Sequence, residues 1–212
     1  MAWKIVETDY ENKNFWQEKA DYENRVEMMR VINVYPECRY QKIRGFGGAF
    51  TESSGYNLTR LPEAAQEEVI KAYFGQEGLR YNLGRTHINS CDFALGNYAY
   101  DEDEADAAFE KFDIGRDKKY ILPMIVRAKD AAGEEIELLA SPWSPPAYMK
   151  TKGEMNHGGK LKEEYRARWA EYIARFLKEY KKAGVPVSMI TVQNETMAVQ
   201  TWDSCIYETE DE

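Results

Sequence analysis

The chain is poor in the residues that bind metals and form disulfides. It has three cysteines and two histidines in 212 residues. Cys38, Cys91 and Cys205 are odd in number, widely separated and without metal-type pairing, so they read as free thiols in a reducing compartment. His87 and His157 are too few and too distant in sequence to imply a metal site, and no cofactor is expected. His87 reads as a hydrogen-bonded core residue and His157 as a loop residue. Nothing resembles a Ser-His-Asp set or a Cys nucleophile with a matching base. Positive charge is also scarce: 28 Lys and Arg against 37 Asp and Glu give a net charge of −9. An acidic surface repels nucleic acid and anionic headgroups, so neither is a favoured partner. No stretch nears the roughly 18 apolar residues of a membrane span. Met1-Ala2-Trp3-Lys4-Ile5-Val6-Glu7 lacks the basic-then-apolar pattern of an export signal, so a cytoplasmic protein is expected. Without export, the sequons at Asn57 and Asn194 are not expected to carry glycans. The phosphate-binding signature is missing too: Gly45-Phe46-Gly47-Gly48 does not match G-x-G-x-x-G, and no Gly-Lys-Ser/Thr follows.

What the chain does have is 43% hydrophobic residues, enough for a core, and 13% aromatics, including 15 Tyr and 5 Trp. Two β-prone runs, Trp3 to Val6 and Arg30 to Val34, flank a polar, helix-compatible stretch. They are read as strands of a side β-structure within segment 1–40. From residue 41 to 212 the pattern becomes strand, loop, helix, repeated. A helix is expected from Pro62 to Gly75, with Ala65, Val69, Ala72 and Tyr73 on one face. A strand follows at Tyr81 to Ile88, then an acidic loop with a short helix between Ala99 and Lys111. A second helix is expected at Tyr120 to Ala132, with Pro123 in its first turn and Gly133 past its end. Ile136 to Ala140 reads as a buried strand. The longest helix should run from Lys162 to Ala183, where Tyr165, Trp169, Ile173, Phe176, Leu177 and Tyr180 recur at helical spacing. Lys181 and Lys182 in its last turn suit the negative end of the dipole. Val187 to Gln193 reads as a further buried strand. Alternating strands and helices imply parallel pairing and right-handed crossovers. Four such units fit the first half of a (β/α)8 TIM barrel; a doubly wound sheet is the alternative.

Polar and aromatic groups gather where these strands should end, the face on which such barrels build their sites. Asn194-Glu195 closes the last strand. A carboxyl there can act as a general acid if its surroundings favour the protonated form, or it can pair with an arginine across the barrel. Asn194 offers donors and an acceptor to a sugar hydroxyl, or caps a loop. Arg85 and Asp92 bracket the second strand end. They could hold carboxylates and hydroxyls, or form a structural salt bridge with each other. Trp143, between Ser141-Pro142 and Ser144-Pro145-Pro146, sits in a proline-stiffened turn that can present its ring to the apolar face of a pyranose, or it packs in the core. Glu52 is also acidic and near a strand end, though Ser53 and Ser54 suggest that it begins a helix.

Four stretches carrying these residues, GFGGAFTESSGYNL (45–58), YFGQEGLRYNLGRTHINSCDF (73–93), LLASPWSPPAYMKT (138–151) and SMITVQNETMAVQTWDSC (188–205), resemble glycoside hydrolase family 30, which includes glucosylceramidases. Their order and spacing agree over about residues 30–206. QTWDSC after the acid is similar to bacterial members, some of which cleave β-1,6-glucan. The resemblance implies a TIM barrel with a side β-structure and a retaining mechanism on a β-linked glycoside or oligosaccharide. It implies Glu195 as acid/base, and Arg85, Asp92, Trp143 and Asn194 as the lining of the sugar subsite. Thr196 stands where members usually have Pro. The family's nucleophile lies on the seventh strand, which this chain does not reach. The expectation is therefore a fragment, inactive alone, that needs the C-terminal half of the barrel. A non-catalytic sugar-binding or interaction remnant is the alternative.

Overall fold

The computed structural model describes residues 4–19 and 33–211, which fall in two compact units, Met1–Ile43 and Arg44–Glu212. The first contains an antiparallel hairpin of β1 (Ile5–Asp9) and β2 (Asn14–Lys19). The Asp9 carboxylate nucleates its turn by accepting the N–H groups of Glu11 and Asn12 at 3.0 and 3.1 Å. β2 occupies part of the polar stretch read as helix-compatible. Cross-strand pairing, with a Lys19–Glu7 ion pair at 3.1 Å, overrides that local preference. Of the strand expected at Arg30 to Val34, residues up to Ile32 lie outside the described residues, and Asn33 and Val34 have no regular structure. Trp3 also lies outside them.

The second unit is a parallel sheet flanked by helices. Its elements run β3 (Gly47–Phe50), α1 (Glu52–Thr59), α2 (Glu63–Phe74), β4 (Leu83–Ile88), α3 (Gly115–Ala132), β5 (Glu137–Pro142), α4 (Arg166–Lys182) and β6 (Met189–Ile190). The strands pair in chain order, β3-β4-β5-β6, all parallel. A doubly wound sheet reverses strand order at its switch point; no reversal occurs here, and the order is that of consecutive barrel strands.

Alternation along the strands separates two faces. Leu138 and Ala140 of β5 and Thr86 and Ile88 of β4 are buried in the helix-covered layer, near Ile121, Ile125, Phe176 and Tyr180. Gly84 is required in this layer, because a Cβ there would stand 2.5 Å from the Phe50 ring and 2.9 Å from Leu138. On the opposite face Ala49, Leu83, Arg85, Leu139 and Met189 line a concave, mostly apolar surface.

Several boundaries depart from expectation. α3 begins at Gly115, not Tyr120, so Pro123 lies inside it; burial of Ile121, Leu122, Met124 and Ile125 outweighs the lost backbone donor. Gly133 ends α3 in the left-handed conformation, φ 69°. A 3-10 turn, Glu163–Tyr165, precedes α4. Residues 99–111 form turns and no helix. The buried strand expected at 187–193 is two paired residues with Ile190 and Val192 about half exposed, because β6 has a neighbour on one side only. No described helix is long and apolar enough to cross a membrane.

Candidate active site

The carboxyl ends of β4, β5 and β6 converge on Arg85. Its position in β4, paired with Ala49 and Leu139, aims the side chain from the concave face. Nε donates to Ser141 Oγ at 3.0 Å, and Nη2 donates to Asn194 Oδ1 at 2.7 Å. The guanidinium also lies 4.6 Å from the centroid of the Trp143 ring. One side chain thus orients the Trp143 ring and the Asn194 amide. Asn194 N–H donates to Pro142 O at 2.9 Å, and Gln193 Nε2 donates to Trp143 O at 2.7 Å, tying the last strand end to the proline-stiffened turn.

Glu195 follows with a left-handed backbone, φ 49°. A residue with a Cβ adopts this at a cost of roughly 1–2 kcal/mol. Its carbonyl accepts the Ala198 N–H at 2.9 Å, and its Oε2 accepts from Gln200 Nε2 at 3.1 Å. The side chain is exposed. Among the described residues Glu195, Asp92 and Arg85 make no ion pair. Neither the salt-bridge alternatives for Arg85, Asp92 and Glu195 nor a carboxylate partner for Arg85 is present among the described residues.

A cavity of about 260 Å³ brings Arg85, Asp92, Trp143, Asn194 and Glu195 together. Asp92 is exposed at its margin. Thr51, His87, Cys91, Phe93 and Trp202 share the lining. Both Trp202 and Phe93 lie within stretches that carry the resemblance, QTWDSC and the stretch ending at residue 93, but neither was singled out as a site residue. A larger groove, about 1020 Å³, lies between α2 and α3 with Glu67, Lys71, Arg127 and Asp130, away from the strand ends. Mixed surface charges and no convergent buried polar group make the smaller cavity the better site.

Beneath the cavity His87, Asn89 and Glu52 are paired, whereas Thr86 Oγ1 and Gln193 Oε1 are buried without a hydrogen-bond partner among the described residues. His87 Nε2 accepts the Glu52 N–H at 3.2 Å, so its hydrogen sits on Nδ1, 2.5 Å from Asn89 O. The Asn89 amide donates to Ser144 O at 3.0 Å and accepts from Tyr172 Oη at 2.6 Å. Glu52 begins α1 and is 1% exposed; Arg116 holds it with two bonds at 2.6 and 2.9 Å, and Leu95 N–H adds a third at 2.7 Å. Burial pushes the Glu52 carboxyl up, but the Arg116 and Leu95 bonds outweigh it and the net shift is downward. Glu52 is thus a structural ion rather than a second acid at the site. Asp117, wholly buried, is pushed up by burial although the hydroxyls of Tyr98, Tyr100 and Tyr180 donate to it at 2.6, 2.7 and 2.5 Å. Burial also raises the Cys91 thiol to about 12. All three cysteines are unpaired. Among the described residues no group of three His, Cys, Asp or Glu could hold a metal ion.

Comparison with known proteins identifies the family of this fold. The chain is 33% identical to the lysosomal acid glucosylceramidase of Mus musculus over 180 residues, covering 82% of this chain and 35% of the relative. It is 27% identical to an endo-1,6-beta-D-glucanase of Neurospora crassa over 173 residues, covering 79% and 36%. The solved structure of SrfJ from Salmonella typhimurium superposes with a TM-score of 0.89 at 39% identity, covering 99% of this chain and 47% of that one. The chain thus spans about a third of these curated relatives and about half of the solved structure. Residues 43–206 match the glycosyl hydrolase family 30 TIM-barrel domain, and the chain belongs to that family.

Proposed function

We propose that this chain forms the N-terminal part of a retaining β-glycosidase that cleaves a β-glucosidic bond of the glucosylceramide or β-glucan type. One observation carries this reading: Glu195 shares a single cavity with Arg85, Trp143 and Asn194, at the carboxyl ends of consecutive parallel strands. The Glu195 carboxyl would protonate the leaving oxygen and then, as carboxylate, accept a proton from the attacking water. Asn194, its amide oxygen held by Arg85, keeps its NH2 group for a hydroxyl of the bound sugar. The Trp143 ring, backed by the Arg85 guanidinium, offers an apolar platform. Asp92 accepts from further hydroxyls.

Retention requires a second carboxyl about 5–5.5 Å from the first, on the other side of the anomeric carbon. We assign that attacking group to a later strand of a longer polypeptide. Two results test this together. The first-formed sugar released from an aryl β-glucoside by that polypeptide should be the β-anomer by proton NMR; release of the α-anomer would exclude retention. The 212-residue chain alone should show no turnover, and a kcat within about tenfold of the longer polypeptide would contradict the assignment.

A further inference from the structure

Trp202 lines the cavity from a loop with little regular structure, yet the three residues that follow it are nearly inaccessible: Asp203, Ser204 and Cys205 are 3%, 4% and 0% exposed. Two buried ionisable side chains account for this. The Asp203 carboxylate accepts from Ser90 Oγ at 2.5 Å and from Asn97 Nδ2 at 3.0 Å, both on the loop that follows β4. Lys150, wholly buried, donates to Ser204 O at 2.5 Å, to Ser144 Oγ at 3.2 Å and to Met155 O at 3.4 Å. Ser144 is the neighbour of Trp143. The loop that carries Trp202 is therefore fastened on one side to the loop of Asp92 and Phe93, and on the other to the turn of Trp143. Charge-assisted bonds to buried groups are the strong ones, and a loop so pinned loses its freedom before a ligand arrives.

We propose that Asp203 and Lys150 are positioning residues that hold Trp202 as a fixed wall of the sugar cavity, fastened to the loop of Asp92, so that substrate binding does not have to order that wall. The inference rests on the glycosidase reading for its substrate. Its mechanical half, the pinning of the loop, does not.

The test uses the complete enzyme carrying Asp203→Ala, Ser90→Ala and, as the conservative control, Asp203→Asn, which keeps an acceptor oxygen. Lys150→Met adds the second anchor; should it fail to fold, the Ser90 and Asp203 variants still decide. Asp203→Ala should raise KM for an aryl β-glucoside about tenfold with kcat within about twofold, while Asp203→Asn recovers most of the loss. In a Trp202→Ala background the same change should have little further effect, because a residue that acts through another is silent once the other is gone. Amide hydrogen exchange should accelerate in residues 196–206 and 89–98 and nowhere else. Unchanged exchange in those segments, a fall in kcat with constant KM, or an undiminished effect without Trp202 would each overturn the proposal. An enzyme with no glycosidase activity would count against the proposed function instead, and the exchange result would still decide whether Asp203 pins the loop.

Discussion

Arg85 engages three neighbours at once: a hydroxyl through Nε, an amide oxygen through Nη2 and the Trp143 ring through its planar face. A lysine ammonium cannot reproduce that fork or the stacking. Arg85→Lys should therefore lower kcat/KM of the complete enzyme by about ten- to a hundredfold with an unchanged circular dichroism spectrum. A loss below twofold would mean that Asn194 and Trp143 hold their places unaided. Glu52 shows the other use of a carboxylate at a strand end. Its folded-state pKa lies below the ordinary value of 4.5. The stabilisation from Arg116 is thus complete above that value and fades as pH falls through the lower folded one. Glu52→Gln should cost roughly 1–3 kcal/mol in urea denaturation at pH 7, between the exposed-pair and buried-pair ranges because Arg116 stays 34% exposed. The difference from wild type should shrink towards pH 3.5; a constant difference would show that packing, not charge, is lost. Both residues stood out in sequence as strand-end ions. Only the structure separates their roles, since the partner of Glu52 is 64 residues away and no local pattern announces it.

Elements were legible where local and tertiary forces agree. Helical spacing from Tyr165 to Tyr180 places α4 because the buried residues Trp169, Tyr172, Phe176 and Tyr180 fall on one face. β5 was visible as a short buried run from Ile136 to Ala140, and β4 as the strand expected at Tyr81 to Ile88. Three features were hidden for identifiable reasons. β2 is set by its pairing with β1 rather than by its own polar sequence. The start of α3 has no side-chain cap to mark it. β6 looks like a core strand in sequence, but pairing on one side leaves Ile190 half exposed. Gly84 offers a measurement at this scale. Gly84→Ala inserts a methyl where Phe50 and Leu138 already touch, so it should cost about 1–3 kcal/mol by overpacking. A neutral effect on the urea midpoint would indicate that β3 and β5 can separate without penalty.

For the whole molecule, four parallel strands in chain order place one wall of a site at their carboxyl ends and leave a concave apolar face lined by Ala49, Leu83, Leu139 and Met189. In the proposed reading the wall holds a proton donor, a ring platform and hydroxyl partners, and the attacking carboxylate belongs to the strands that would face it. Everything about the reaction then turns on Glu195 as the group that protonates the leaving oxygen. The most direct measurement is the leaving-group dependence of Glu195→Gln in the complete enzyme. An alkyl β-glucoside, whose poor leaving group needs a proton, should lose at least about a hundredfold in kcat/KM, while a dinitrophenyl β-glucoside stays within about tenfold of wild type. Equal losses on both substrates would contradict the acid role and, with it, the account of this site.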